Sequence, residues 1–264
     1  MQKYKDELKK KKKSKFLIRL IFSFVAGVFV ILGIVYWMFF SGALNIRTIE
    51  INVSSELRSS VNDVVNDWLN RGFWRFIRRN NILFVFGNDL AAELKSKFLK
   101  LESIRVDKKF PHSLIISITE RKSVGIVCST MSGACFNFDK DGVAFSVTQS
   151  SSGFLILNIT DRRNVELGLG KIVIASDWLV NIITARELLT KSEIGIAEFV
   201  IPEDSLDEFY AVTADGWRIM FNNQTDIKSQ ISALEVFLKE KISVAQRSQL
   251  QYIDLRIQDR IYYK

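Results

Sequence analysis

Leu20–Phe40 reads LIFSFVAGVFVILGIVYWMFF, a stretch without a charged residue. A helix of this length, at about 1.5 Å per residue, would measure about 31 Å, close to the thickness of the hydrocarbon core of a bilayer. Tyr36 and Trp37 lie near its C-terminal end, where aromatic side chains are typical of the lipid–water interface. The stretch therefore predicts a transmembrane helix at residues 20–40.

The segment before the span is strongly basic. Residues 1–19 carry nine Lys and Arg against two acidic residues, so they hold +7 of the net charge of +8. The positive-inside rule predicts a cytoplasmic tail at 1–19, with the body from Ser41 onward outside the cytoplasm. We expect the tail to contact the lipid bilayer. Because the body has almost no basic excess, we expect no nucleic-acid partner.

A cleaved signal peptide is the alternative interpretation of the apolar stretch. Ser41 and Ala43 are small residues with the spacing of a cleavage site. However, the apolar part of a signal peptide is usually about 7–15 residues long, and this one is longer. An uncleaved anchor is the favoured interpretation.

The only two cysteines are Cys128 and Cys135, which flank the small-residue turn STMSGA. If the flanking apolar runs form a hairpin, the two sulfurs could join in a disulfide, which persists outside the cytoplasm. Two buried thiols are the equally weighted alternative. Two cysteines and one distant histidine do not make a four-ligand zinc site, so we expect no metal.

The body begins with alternating strand and helix patterns. In order, the predicted elements are a strand at Asn45–Val53, a helix opened by Ser54 and Ser55, an extended run at Ile82–Phe86, a helix opened by Asn88 and Asp89, and strands at Ser103–Phe110 and Leu114–Glu120. The main elements thus follow the order strand, helix, helix, strand, strand. Asn70–Asn80 is rich in Arg and aromatic residues; inward-folded aromatics in a loop or short helix are favoured over a membrane contact.

The end of this module carries a family resemblance. Leu99–Val124 (LKLESIRVDKKFPHSLIISITERKSV) resembles the end of the POTRA domain in the FtsQ/DivIB family of bacterial cell-division proteins, through Val106, Phe110-Pro111, Leu114 and Glu120-Arg121. Lys122-Ser123 departs from the family, which usually has Pro after the Glu-Arg pair. The resemblance implies a POTRA domain at 41–122.

The resemblance continues to the C-terminus. Cys135–Ser146 resembles the hairpin that opens the family's second domain, through Phe138, Asp139, Gly142 and Phe145. Strands are predicted at Phe154–Ile159, Ile194–Ile201, Glu208–Thr213 and Trp217–Phe221, with helices from Ser176 and at Asp226–Glu240. The resemblance implies an α+β chain whose residues 123–264 form a mixed β-rich domain with two helices.

No active site is evident in the sequence. His112 is the only histidine and lies beside Pro111 in a predicted turn, with no nucleophile marked for it. We expect no catalytic residue, no cofactor and no small-molecule substrate. Sequence alone leaves a paired-carboxylate glycosidase open, so a membrane-anchored enzyme acting on the cell wall is the alternative function. A POTRA chaperone is disfavoured because no β-barrel follows.

The resemblance implies a non-enzymatic scaffold of the division septum in the cytoplasmic membrane, single-pass with its N-terminus inside. Its partners would be other divisome membrane proteins, similar to FtsB/DivIC and FtsL. Strand addition to an open edge is the expected contact. The predicted contact residues lie in the last strand, Tyr252–Gln258, and just after it: Tyr252, Ile253, Asp254, Leu255, Arg256, Ile257, Ile261, Tyr262 and Tyr263. An internal strand with core tyrosines is the alternative, and Ser103–Phe110 is the second candidate contact.

Overall fold

The computed structural model describes residues 20–38, 42–74, 77–78, 80–151 and 156–264. The chain divides into two compact units. The N-terminal unit comprises Met1–Lys97 and Ser103–Thr119, and the C-terminal unit comprises Phe98–Glu102 and Glu120–Lys264. Helices and strands are mixed in the body, which confirms the α+β class expected from the sequence.

The N-terminal apolar stretch is helical. Helix α1 spans Leu20–Met38, with 19 residues and a mean hydropathy of 2.5, and is long and apolar enough to cross a membrane by length and composition. None of its most apolar window is buried against the rest of the protein. Phe39, Phe40 and the basic segment 1–19 lie outside the described residues.

After α1, the N-terminal unit follows the predicted order with one added hairpin. Its elements are β1 (Thr48–Asn52), α2 (Ser55–Asn70), β2 (Gly72–Trp74), β3 (Ile77–Arg78), a 3-10 helix (Ile82–Phe84), α3 (Gly87–Lys97), β4 (Leu101–Lys109) and β5 (Ser113–Glu120). The sheet order is β1-β5-β4, with β1 parallel to β5. The added hairpin β2–β3 replaces the loop or short helix expected at Asn70–Asn80, of which Arg75, Phe76 and Arg79 lie outside the described residues.

The core of this unit is formed by one apolar face of each helix together with the sheet. Helix α2 buries Val61, Val65 and Trp68, and α3 buries Leu90 and Leu94. These spacings of three and four residues place the side chains on one side of each helix. Their burial, together with that of Leu114 and Ile116 on β5, gives the unit its apolar interior.

The run Ile82–Phe86 was expected to be extended, and this is wrong for its first three residues. Ile82–Phe84 form a 3-10 turn because the Asn81 side-chain oxygen accepts a hydrogen bond from the Leu83 N–H at 3.0 Å. Asn is well suited to this role, since its short side chain can replace a backbone acceptor at the start of a turn.

The C-terminal unit is built on a nine-stranded sheet in the order β14-β13-β12-β11-β10-β9-β6-β7-β8. The elements are β6 (Gly125–Ser129), β7 (Cys135–Phe138), β8 (Ala144–Thr148), β9 (Leu157–Asp161), α4 (Ser176–Lys191), β10 (Ile196–Ile201), β11 (Glu208–Thr213), β12 (Arg218–Asn222), α5 (Ile227–Lys241), α6 (Val244–Arg247), β13 (Tyr252–Asp254) and β14 (Tyr262–Tyr263). Of the strand predicted at Phe154–Ile159, the first two residues lie outside the described residues.

Helices α4 and α5 complete the core of this unit. Both helices were predicted, and each buries one apolar face: Trp178, Ile182, Ala185 and Leu189 on α4, and Ile227, Ile231, Leu234 and Leu238 on α5. Asp226 begins α5 as its N-cap and accepts a hydrogen bond from the Ser229 N–H at 3.0 Å. The ring of Phe209 stacks on that of Phe221 with centroids 5.2 Å apart.

The hairpin β6–β7 is closed by a disulfide. Cys128 and Cys135 are register partners, their Cα atoms lie 4.1 Å apart and their sulfurs are bonded. This resolves the two alternatives left open by the sequence in favour of the disulfide. The next turn is also as expected: Asp139 accepts from the N–H groups of Asp141 and Val143, and Gly142 supplies a φ of 73°.

Candidate partner-binding edge

Strand β13 is shorter than predicted. It ends at Asp254, whereas the alternation in the sequence indicated a strand as far as Gln258. The Asp254 carboxylate accepts a hydrogen bond from the backbone N–H of Arg256 at 3.0 Å. Such a local bond between side chain and backbone offers the chain an alternative to the ladder and turns it out of the strand.

The edge of the sheet also differs from the expectation. Strand β13 is paired on both sides, in parallel with β12 and antiparallel with β14, so the prediction that it forms the open edge is wrong. Tyr263 lies opposite Ile253, and Tyr262 lies opposite Asp254. The chain turns after Arg256 and runs back antiparallel to β13. Strand β14 is therefore the outermost strand at this end of the sheet.

The predicted contact residues separate into three groups by burial. Ile253, Asp254 and Leu255 are buried, and Ile253 has no exposed surface. Tyr252, Arg256 and Ile261 are half-buried. Ile257, Tyr262 and Tyr263 are exposed, at 52%, 45% and 53% of their full surface. Of the predicted contact residues, this last group offers a partner the largest exposed surface without a rearrangement.

Arg256 ties this corner to the sheet. Its guanidinium donates to Asp254, with a closest distance of 2.7 Å, and to Glu208 at the start of β11. Burial of Asp254 would raise its pKa, but the hydrogen bonds from Arg256 and the charge of Arg256 together lower it below the usual value. The hydrogen bonds that Arg256 donates to the Asp254 carboxylate are the main cause that raises the pKa of Arg256. Both groups therefore stay charged at neutral pH.

A groove of about 900 Å³ lies between α5 and the segment that follows β13. Val236 and Phe237 form one wall, and Leu255, Ile257 and Ile261 form the other. Val236 is 56% exposed although it is aliphatic. The charged residues around the groove have both signs: Asp226, Glu240, Lys241, Asp259 and Arg260.

The wall residues of α5 were not among the predicted contacts. On α5, Val236 and Phe237 lie outside the buried stripe Ile227, Ile231, Leu234 and Leu238. An apolar residue outside the buried stripe can indicate a contact surface, and the sequence shows this feature at both positions. The sequence does not show how close they lie to the C-terminal segment, because that distance depends on the turn after Arg256.

The second candidate contact, Ser103–Phe110, is mostly β4, a strand at the edge of the N-terminal sheet. Ser103, Arg105 and Asp107 are exposed, whereas Ile104 and Val106 are half-buried. Phe110, just past the strand, is 58% exposed. Because β4 lies at the edge of its sheet, it can serve as a template for strand addition.

The residues that could act in catalysis or bind a metal lie in separate parts of the described chain. His112 is half-buried, with Nδ1 3.2 Å from the carbonyl oxygen of Asn45. Two pairs of acidic residues are adjacent in the sequence. Glu203 and Asp204 are both exposed. In the second pair, Asp207 accepts a hydrogen bond from the Gln224 amide at 2.8 Å and Glu208 forms an ion pair with Arg256. Among the described residues, no group of three or more His, Cys, Asp or Glu is placed to hold a metal ion.

The features that bear on function are thus one long apolar helix and an edge strand, β14, beside an apolar groove. In comparisons with known proteins, neither a protein-family model nor a curated protein matches this chain.

Proposed function

We propose that this chain is a membrane-anchored scaffold of bacterial cell division, of the FtsQ/DivIB type, that binds other single-span divisome proteins outside the cytoplasm. The sequence motifs from Leu99 to Val124 and from Cys135 to Ser146 support it. So does the element order β1-α2-α3-β4-β5 after an apolar helix, because a POTRA domain follows the order strand, helix, helix, strand, strand.

The proposed topology places α1 in the cytoplasmic membrane and both units outside. The basic segment 1–19 supports a cytoplasmic N-terminus. The Cys128–Cys135 disulfide supports an extracytoplasmic body, since thiols are kept reduced in the cytoplasm of most bacteria. At the septum, this topology would present the C-terminal edge to the extracytoplasmic parts of FtsB/DivIC- and FtsL-like partners.

The observation that carries the proposal is the C-terminal edge with its groove. A sheet edge offers backbone donors and acceptors to an extended segment, and neighbouring apolar side chains give specificity. Here the exposed Ile257 lines the same groove as the exposed Val236 of α5, and the exposed Tyr263 packs its ring against Phe237. Exposed apolar side chains that line one groove are typical of a protein contact rather than of a solvated surface.

Charge substitutions in the groove test this proposal. Val236→Lys and Ile257→Lys alter exposed side chains, so the fold should tolerate them, while a buried lysine would weaken a partner contact. The full chain is co-expressed with the FtsB/DivIC-like and FtsL-like proteins of the same genome, and co-purification from detergent is measured. We expect at least a tenfold loss of capture.

The matched control is Val147→Lys on β8, the strand at the far end of the same sheet, where Val147 is 65% exposed. It adds the same charge on the same unit but away from the groove, and capture should be unchanged. If the two groove variants bind as well as the wild-type chain, the C-terminal edge is not the partner site. A cell-wall hydrolysis assay on the wild-type chain then becomes the next test.

A further inference from the structure

The outer edge of β13 is covered by the last residues of the chain itself. We call residues 258–264 the C-terminal strap. Besides the ladder pairs of β14, the Lys264 N–H donates to the Tyr252 carbonyl at 3.1 Å, and the Gln251 N–H donates to the Lys264 carbonyl at 2.6 Å. The strap therefore satisfies the backbone groups that β13 would otherwise present to a partner.

The strap buries less of its side-chain surface than the strand it covers. Strand β13 is fixed by Ile253 and Leu255, whose side chains are buried in the core. In the strap, by contrast, Tyr262 and Tyr263 are about half exposed, and β14 is only two residues long. Asp259 has a φ of 60°, in the left-handed region that L-residues adopt infrequently. The strap can therefore leave while β13 stays in place.

The strap also shows what kind of side chain fits this edge. The ring of Tyr263 lies 5.0 Å from that of Phe237 on α5. Ile261, two residues earlier, packs against the apolar core of the unit. Ile261 lies just before β14 and lines the same groove as Phe237, so the side toward α5 is filled by a branched aliphatic residue and then an aromatic one.

We infer that the strap is a placeholder for a partner's extended segment. On binding, a segment with a branched aliphatic residue two positions before an aromatic one displaces the strap and pairs antiparallel with β13, with both side chains toward α5. The strap thus competes with the partner for the edge of β13 and lowers the apparent affinity of the chain for that partner. This inference rests on the proposed function, and it assigns the docking edge to β13 rather than to β14.

The first test asks whether the emptied edge accepts such a segment. The chain truncated after Ile257, which lacks the strap, is compared with the intact chain, both in detergent. The probe is a fluorescent peptide of the strap sequence QDRIYYK. We expect the truncated chain to bind at least tenfold more tightly, because the slot of the intact chain is filled. A peptide with Asp in place of its isoleucine and second tyrosine should not bind.

Trp178 and Trp217 are buried in the C-terminal unit and report its fold in both chains through their fluorescence. Equal binding to the two chains, or none to a truncated chain whose fluorescence matches that of the intact one, would overturn the placeholder model.

The second test locks the strap in place. Tyr252 and Lys264 exchange backbone hydrogen bonds, and a pair of this type has Cα atoms about 5.5 Å apart, which suits a disulfide. The chain with Tyr252→Cys and Lys264→Cys should capture at least tenfold less of the FtsB/DivIC-like partner when oxidised, and recover on reduction. The wild-type chain, reduced in parallel, controls for the loss of Cys128–Cys135.

The two tests separate this inference from the proposed function. Capture that is lost in Val236→Lys but unaffected by the lock leaves the C-terminal edge as the partner site and refutes displacement. Capture that survives Val236→Lys and Ile257→Lys refutes the partner site, whatever the peptide does.

Discussion

Ile253 and Tyr263 lie opposite each other in the last antiparallel pair of the sheet, yet one is fully buried and the other is 53% exposed. At this edge of the sheet, the side chain on β13 therefore belongs to the core, whereas the side chain opposite it on β14 lies at the surface. This asymmetry separates residues that hold the unit together from residues that are available to a partner.

Alanine at these two positions should distinguish the two roles. Ile253→Ala removes buried methylene and methyl groups and should lower the free energy of unfolding by about 2–4 kcal/mol. Tyr263→Ala loses mainly its contact with Phe237 and should cost about 1 kcal/mol. Denaturant unfolding followed by Trp fluorescence measures both. Equal losses would contradict the assignment of β14 to the surface.

The pairing of Asp254 with Arg256 predicts a dependence of stability on pH. Because the folded pKa of Asp254 is lowered, the pair contributes stability that is fully present above the unfolded pKa, about 3.9. That stability is lost as pH falls through the lower folded pKa. Asp254→Asn should therefore destabilise the unit at pH 7 and do so much less at pH 2.

Unfolding of the wild-type chain and of Asp254→Asn at both pH values tests this. Asp215→Asn, in the exposed turn between β11 and β12, is the control and should show no such difference. If the difference in unfolding free energy between the wild-type chain and Asp254→Asn is the same at both pH values, the role given to the ion pair is wrong.

The Cys128–Cys135 disulfide closes a short loop, so its effect on the unfolded chain is moderate. In the chain-entropy model, a loop of this size contributes about 2–3 kcal/mol. Replacing both cysteines with alanine should lower the unfolding free energy by this amount, and a reductant should then have no further effect. Alkylation of intact cells provides the second measurement: we expect both thiols to be protected from the reagent until a reductant is added.

Much of the fold was predictable because it follows local periodicity. The apolar faces of α4 and α5 recur every three or four residues, and the turn at Asp215-Gly216 carries its own signal. The errors arise where one polar side chain overrides the pattern. Asn81 turns an apolar run into a 3-10 helix, and Asp254 ends a strand whose alternation continues to Gln258.

The candidate site was only partly predictable for a different reason. The sequence located it at the C-terminus and included Tyr262 and Tyr263. It could not show that the strap folds back on β13, because that pairing depends on the turn between Ile257 and Arg260. Nor could it place Val236 and Phe237 beside the strap, since helix and strap meet only in the folded unit.

Gly142 and Gly133 provide a matched test of the hairpins in the C-terminal unit. Both have a left-handed φ, of 73° and 69°. A Cβ on Gly142 would lie 2.0 Å from the carbonyl oxygen of Ile174, whereas one on Gly133 would meet nothing within 4 Å. Gly133→Ala should therefore cost about 1 kcal/mol, the backbone term alone.

Gly142→Ala should cost about 3 kcal/mol or more, because the backbone of Ile174 must move as well. That movement would disturb the hydrogen bond from the Val173 N–H to the Gly142 carbonyl, 2.8 Å long, and with it the approach of the chain to α4. Since Gly133→Ala carries the same conformational strain, the difference between the two unfolding free energies isolates the steric contact. If the two variants unfold at the same denaturant concentration, the close approach of Ile174 to the β7–β8 turn is wrong.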